Sequence, residues 1–177
     1  TQACVSDLVQ LLDMTDAGGF AALIAEPIQG VGGFATPPDG FFGAMHKVLA
    51  AHDVLFISDE VQTGWGRTGD HFWGYEAHGI IPDILTFAKG VGNGITLAGC
   101  VARADVANAI DRTLFTTFGG NPLSVAAGSA TLKYVKDHDL QSNAAARGRQ
   151  MTDLLRGPCD STDWVIELRG KGLMQAS

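Results

Sequence analysis

The chain has 177 residues, with 46% apolar and 18% charged side chains and a formal net charge of −7. One domain with a sizeable core fits that length, and the composition is that of a folded globular chain, not a disordered one. The acidic balance leaves no basic surplus for nucleic-acid phosphates, and no run of about 18 apolar residues is there to cross a membrane.

The three cysteines, Cys4, Cys100 and Cys159, are odd in number and far apart. They suit neither a disulfide framework nor a metal cluster, so a reducing compartment, cytoplasm or mitochondrial matrix, is expected. The five histidines are scattered, and no metal site is predicted. The opening Thr1-Gln2-Ala3-Cys4 has no leading Met and reads as neither a signal nor a transit segment. Gly170 to Ser177 stops in mid-pattern, so a piece of a longer chain is expected.

In chain order, residues 5–16 carry apolar side chains at helical spacing, and Asp16-Ala17-Gly18-Gly19 is expected to end that helix. Phe20 to Ala25 is apolar on both faces, as a buried parallel strand is, and Glu26-Pro27 closes it. Gly30-Val31-Gly32-Gly33 makes a loop. Asp39 is the expected N-cap of a helix whose Phe41, Phe42, Met45, Val48 and Leu49 share one face. Val54 to Ser58 is the next strand, so a right-handed crossover and a parallel pair are predicted.

Gly64 to Gly79 is a long loop rich in glycine and aromatics, with one short helix expected. Loop packing is the first reading of Trp65, Phe72, Trp73 and Tyr75, and a substrate entrance is the second. Ile84 to Ala88 is a third strand. Leu97 to Ala102 is a fourth, antiparallel because the connection through Gly90, Gly92 and Gly94 is short. Asp105 to Asp111 reads as a short helix. Asn121-Pro122 starts a helix that runs to about Lys136. Another spans Leu140 to Leu155, broken by Gly157-Pro158. Trp164 to Leu168 reads as a strand and Gly170 to Gly172 as a turn.

Glu26, Asp59 and Lys89 each close an apolar run. Open parallel sheets bind ligands at the carboxyl ends of their strands, so three functional groups on that rim predict a site. Any one of them alone has a plain explanation, because the chain is leaving the core there. A lysine amine condenses with an aldehyde to form a Schiff base, and desolvation would let it exchange a proton near neutral pH. A carboxylate facing a pyridine nitrogen keeps it protonated and makes the ring an electron sink. In an extended strand Asp59 and Val61 share a face while Glu60 points away. Val61 can then pack against the ring, and Gln62 can donate to its phenolate oxygen. Gly30–Gly33 and Gly90–Gly94 lack both the dinucleotide spacing and a following Gly-Lys-Ser/Thr.

The ordered motifs Glu26-Pro27-Ile28-Gln29-Gly30, Asp59-Glu60-Val61-Gln62-Thr63-Gly64, Gly66-Arg67-Thr68-Gly69, Lys89-Gly90, Gly119-Gly120-Asn121-Pro122 and Arg169-Gly170-Lys171-Gly172 resemble those of class III pyridoxal-phosphate-dependent aminotransferases. The resemblance implies an α/β chain, the three-layer αβα large domain of the fold-type I enzymes. It places a partial cofactor-binding large domain at residues 1–157 and the beginning of a C-terminal small domain at 158–177. It implies pyridoxal 5'-phosphate as cofactor and Lys89 as the Schiff-base lysine. Asp59 would be the pyridinium partner, Val61 the residue under the ring and Gln62 the phenolate contact. Thr117 would reach the cofactor phosphate of a neighbouring subunit in a homodimer with shared sites, although threonine at such a position also serves as a local cap. Glu26 matches a glutamate on the substrate side, with a buried acid paired to arginine as the alternative. Family members are more than twice as long, and the main phosphate loop and the substrate arginine lie outside this sequence.

Transfer of an amino group from an amino acid to a 2-oxo acid, of the pyruvate or glyoxylate type, is the reaction the resemblance favours. An aminomutase, racemase or phospho-lyase reaction on the same scaffold is the alternative. A third reading is an inactive fragment acting as an oligomerising module.

Overall fold

A computed structural model describes residues 1–15 and 19–177. The element order is helix α1 (Gln2–Asp13), strand β1 (Ala22–Ala25), helix α2 (Phe41–Ala51), β2 (Leu55–Asp59), β3 (Ile84–Phe87) and β4 (Gly99–Ala102). Helices α3 (Ala104–Asn108), α4 (Pro122–Asp137) and α5 (Leu140–Asp160) and a hairpin of β5 (Arg169–Lys171) and β6 (Met174–Ala176) complete it. Two 3₁₀ turns, Gly74–His78 and Lys89–Gly92, stand before and after β3.

The main sheet has the order β1-β2-β3-β4. β1, β2 and β3 are parallel, and β4 is antiparallel to β3, as the short connection predicts. The α/β class is therefore borne out. Register sets the faces: Ala25 pairs with Ser58 and Asp59 with Thr86, which brings the strand ends to one rim. The core lies on one face of this sheet, where Leu8 of α1 and Phe42 and Leu49 of α2 meet Val54 and Phe56. β1, expected to be buried on both faces, is not: Leu23 and Ala25 are half-buried and Ala22 and Ile24 exposed, because the elements of the core cover one face only, while in β2 Phe56 and Ser58 are fully buried and Leu55, Ile57 and Asp59 half-buried. Ile24, on the other face, remains 60% exposed.

Four local expectations need correction. Asp39 does not cap α2. The cap residue is Gly40, held at φ 78°, and the Asp39 carboxylate instead accepts from Lys171 Nζ at 2.5 Å. That contact, with Arg169 Nε donating to the Gly33 carbonyl at 2.6 Å, pins the terminal hairpin to the loop before α2. Pro158 does not break α5. The helix runs on to Asp160, two residues past Pro158, which gives up the main-chain bond to the Leu154 carbonyl with less than a turn of helix beyond it. Residues 164–168 form no strand. The sheet-forming pair is shifted to 169–171 and 174–176, with the turn at Gly172-Leu173 and not at Gly170–Gly172. Close approach explains the hairpin's position: a Cβ on Gly148 of α5 would stand 2.4 Å from the Gly172 carbonyl oxygen. The helix start at Asn121 holds, and its side chain accepts from the Ser124 N–H at 2.9 Å. Helix α1 already ends at Asp13; the Asp16–Gly18 part of its expected stop signal lies outside the described residues.

His78 closes the first 3₁₀ turn, buried edge-on against the Phe42 ring at 4.9 Å. Its Nδ1 has no hydrogen-bond partner among the described residues. Burial pushes its pKa below the ordinary value of 6.5, and the nearby Lys171 and His71 add to this while Asp39 opposes it. The unfolded chain therefore binds the proton first as pH falls. Stability from this residue is complete above pH 6.5 and is lost as pH falls through the lower folded value. Urea midpoints should drop as pH is lowered below that point, and a His78→Gln variant should show a flatter profile over the same range.

Candidate active site

The rim is built by strand ends. Glu26 follows β1, Asp59 ends β2, and Lys89 stands two residues beyond β3 in the second 3₁₀ turn. Asp59 is half-buried, and among the described residues its Oδ1 accepts only from the Val61 N–H, at 3.1 Å. It has no cationic partner among the described residues. Lys89 is exposed, unpaired among the described residues, and sits at φ 49°, a left-handed conformation costly for a side chain other than glycine. The other lysines have plainer settings: Lys171 and Lys133 are in ion pairs, and Lys47 and Lys136 are exposed on helices.

A cleft of about 260 Å³ brings Val61, Gln62 and Lys89 together, closed by Trp65, Arg67 and Met174. Gly30 makes room beside it, since a Cβ there would stand 2.1 Å from Gln62 Nε2. The Gly30 N–H donates to Glu26 Oε2 at 3.0 Å, so Glu26 fixes the loop that faces Gln62. No arginine pairs with Glu26 among the described residues. Asp59 and Glu26 stand on the rim but do not line the cleft. Thr117 lies in the exposed turn before α4, apart from these groups. Lys89 is not enclosed by apolar neighbours as its sequence setting implies, because the flanking Gly90 and the turn leave its side chain open.

The aromatic loop packs on itself. Trp65 meets Trp73 at 4.5 Å and Phe87 at 5.3 Å, so loop packing accounts for most of these rings, while Trp65 also borders the cleft. One residue escaped the sequence reading. Glu60, which strand alternation merely points away from the site, is completely buried and heavily hydrogen-bonded. Its signal in the sequence was slight: an acid between two strand-end residues, flanked by Ser58 and Thr63 as donors.

The donor set suits a ring that carries an aldehyde, a phenolate oxygen and a basic nitrogen. Were such a ring bound, the exposed Lys89 amine would be the group to meet the aldehyde, the Asp59 carboxylate the protonated nitrogen, the Gln62 amide the phenolate, and Val61 the ring face. These groups stand at the carboxyl ends of the parallel strands of the sheet, where α/β enzymes bind their ligands. The chain belongs to the class III aminotransferase family, whose model matches residues 1–177. Enzymes of that family use pyridoxal phosphate.

Human mitochondrial alanine–glyoxylate aminotransferase 2 is 42% identical over 165 residues, which is 92% of this chain and 32% of that protein. Acetylornithine aminotransferase from Corynebacterium efficiens is 40% identical over 95% of this chain and 40% of its own length. Ornithine aminotransferase from Toxoplasma gondii, whose solved structure shows partial occupancy of the cofactor at its active site, superposes with a TM-score of 0.88 at 36% identity. That match covers 97% of this chain and 40% of the other. The chain thus spans about a third of the length of the human relative.

Proposed function

We propose that this chain supplies the ring-holding part of a transaminase that moves an amino group from an amino acid to a 2-oxo acid of the pyruvate or glyoxylate type. The observation that carries the reading is the single cleft shared by Lys89, Gln62 and Val61, with Asp59 on the same sheet rim. Pyridoxal phosphate, when bound, supplies the aldehyde that receives the amino group and a ring that stores the electron pair. Lys89 holds the cofactor and then moves a proton to and from the substrate carbon. Asp59 keeps the ring nitrogen protonated, Gln62 donates to the phenolate oxygen, and Val61 orients the ring. Glu26 shapes the substrate side through Gly30. Similarity to the alanine–glyoxylate enzyme favours alanine as donor, although the acetylornithine enzyme is nearly as similar.

In this reading Thr117 serves the phosphate of a partner subunit, so the active unit is a homodimer. Its exposed position away from the cleft is what such a role requires. Residues 1–157 act as part of the large domain and 158–177 open the small one, although α5 runs unbroken across that division. The unpaired cysteines suit a reducing compartment, cytoplasm or matrix, and the mitochondrial relatives favour the matrix.

Incubation with pyridoxal phosphate and L-alanine tests the reaction type. Pyruvate formed without free ammonia, with the amino group recovered on the cofactor, is the expected result, in trace amount at most from this chain alone, because the resemblance places the main phosphate loop and the substrate arginine outside it. Release of ammonia or formation of D-alanine would place the chain among the lyases or racemases instead. No product from untreated chain, when borohydride treatment of a parallel sample shows the cofactor on Lys89, would favour the inactive module.

A further inference from the structure

Glu60 stands between Asp59 and Val61, yet its side chain is completely buried. One carboxylate oxygen accepts from Ser58 Oγ at 3.0 Å and from the Tyr75 N–H at 2.8 Å. The other accepts from Thr63 Oγ1 at 2.5 Å and from the Gly74 N–H at 2.8 Å. An ionised carboxylate has about four lone-pair sites and donates nothing, so this one is saturated with donors and needs no cation. The main chain is tied as well. Its N–H donates to the Thr86 carbonyl at 2.9 Å, and its carbonyl accepts from the Gly64 N–H at 3.0 Å. One residue therefore joins the end of β2, strand β3, the turn to Gly64 and the first 3₁₀ turn.

What this anchor fixes is the direction of its neighbours. Side chains alternate to the end of β2, so a Glu60 locked inward holds Asp59 on the other side, and the bonds to Thr63 and Gly64 set the turn carrying Val61 and Gln62. We propose that Glu60 is a positioning residue for the cofactor ring, acting through Asp59 and Gln62. This rests on reading the Lys89 cleft as the pyridoxal-phosphate site. Glutamine at this position presents an NH₂ group to donors that already need an acceptor, so at least one oxygen's pair of bonds is lost and the turn is free to rotate. A carboxylate that served only to hold the loop would lower stability but leave Asp59 aimed as before.

The two roles separate in a double-mutant cycle on the full chain. The readout is the fraction of pyridoxal phosphate fixed onto Lys89 by borohydride at a set cofactor concentration, corrected for the folded fraction by circular dichroism. Glu60→Gln should lower cofactor retention by about tenfold, Asp59→Asn by a similar factor, and the pair by much less than the product, because coupled groups are not additive. Multiplicative effects, or a Glu60→Gln chain that retains cofactor as the parent does, would overturn the proposal. Should Glu60→Gln not fold, Thr63→Ala, which removes one donor and keeps the charge, takes its place in the cycle with a smaller effect in the same direction. Failure of the parent chain to fix cofactor on Lys89 at all would overturn the site reading itself, a different outcome from additivity.

Discussion

Replacing Lys89 with alanine abolishes fixation of pyridoxal phosphate onto the chain. The expected experiment is borohydride reduction followed by peptide mapping, with label on the peptide containing Lys89 in the parent and none there in the variant. The reason lies in the setting of the amine. Lys89 is open to the cleft, carries no ion pair among the described residues, and is held at φ 49° at a strand end. Lys47 and Lys136 are exposed too, and serve as controls for unspecific labelling. Undiminished total labelling in Lys89→Ala would show that the cleft does not select its lysine. Binding is expected to be weak even in the parent, since the resemblance places the main phosphate loop outside these residues.

The second large effect is on stability. Phe56→Ala should cost about 3–5 kcal/mol, the range for removing a buried aromatic ring. Phe56 is 1% exposed, packs on the Phe42 ring at 5.5 Å, and sits at the centre of the core beneath β2. Its N–H donates to Asp83 Oδ2 at 2.8 Å, so the strand loses ring packing without losing that bond. Urea denaturation followed by circular dichroism measures it. A cost below about 1 kcal/mol would mean that the site collapses freely around the vacancy, which a close-packed interior does not do.

Much of this was legible in the residues. The apolar runs located all four strands of the sheet, and short connection length gave β4 its antiparallel direction. Asn121-Pro122 marked α4 because that cap is a local matter between a side chain and the next turn. The errors arose where distant partners decide. Asp39 looks like a cap until Lys171, far along the chain, takes its carboxylate. Pro158 looks like a break, but α5 carries it and ends two residues later. Residues 164–168 look like a strand, but the glycines that let a hairpin lie against α5 come later. The site follows the same pattern. Lys89, Asp59 and Glu26 are readable as strand-end charges, whereas Glu60's four donors come partly from Gly74 and Tyr75, which announce nothing as types.

Trp65 borders the cleft that holds Lys89, and Trp73 packs against it at a tilt, while Trp164 is almost wholly exposed. Two of the three indoles thus stand at or next to the cleft and one stands in water. Light emitted by the first pair overlaps the absorption of a pyridoxal ring, so occupancy would quench their fluorescence by energy transfer. The solvent-facing indole, emitting further to the red, provides the reference. The chain carries its own optical gauge of filling, readable without any label.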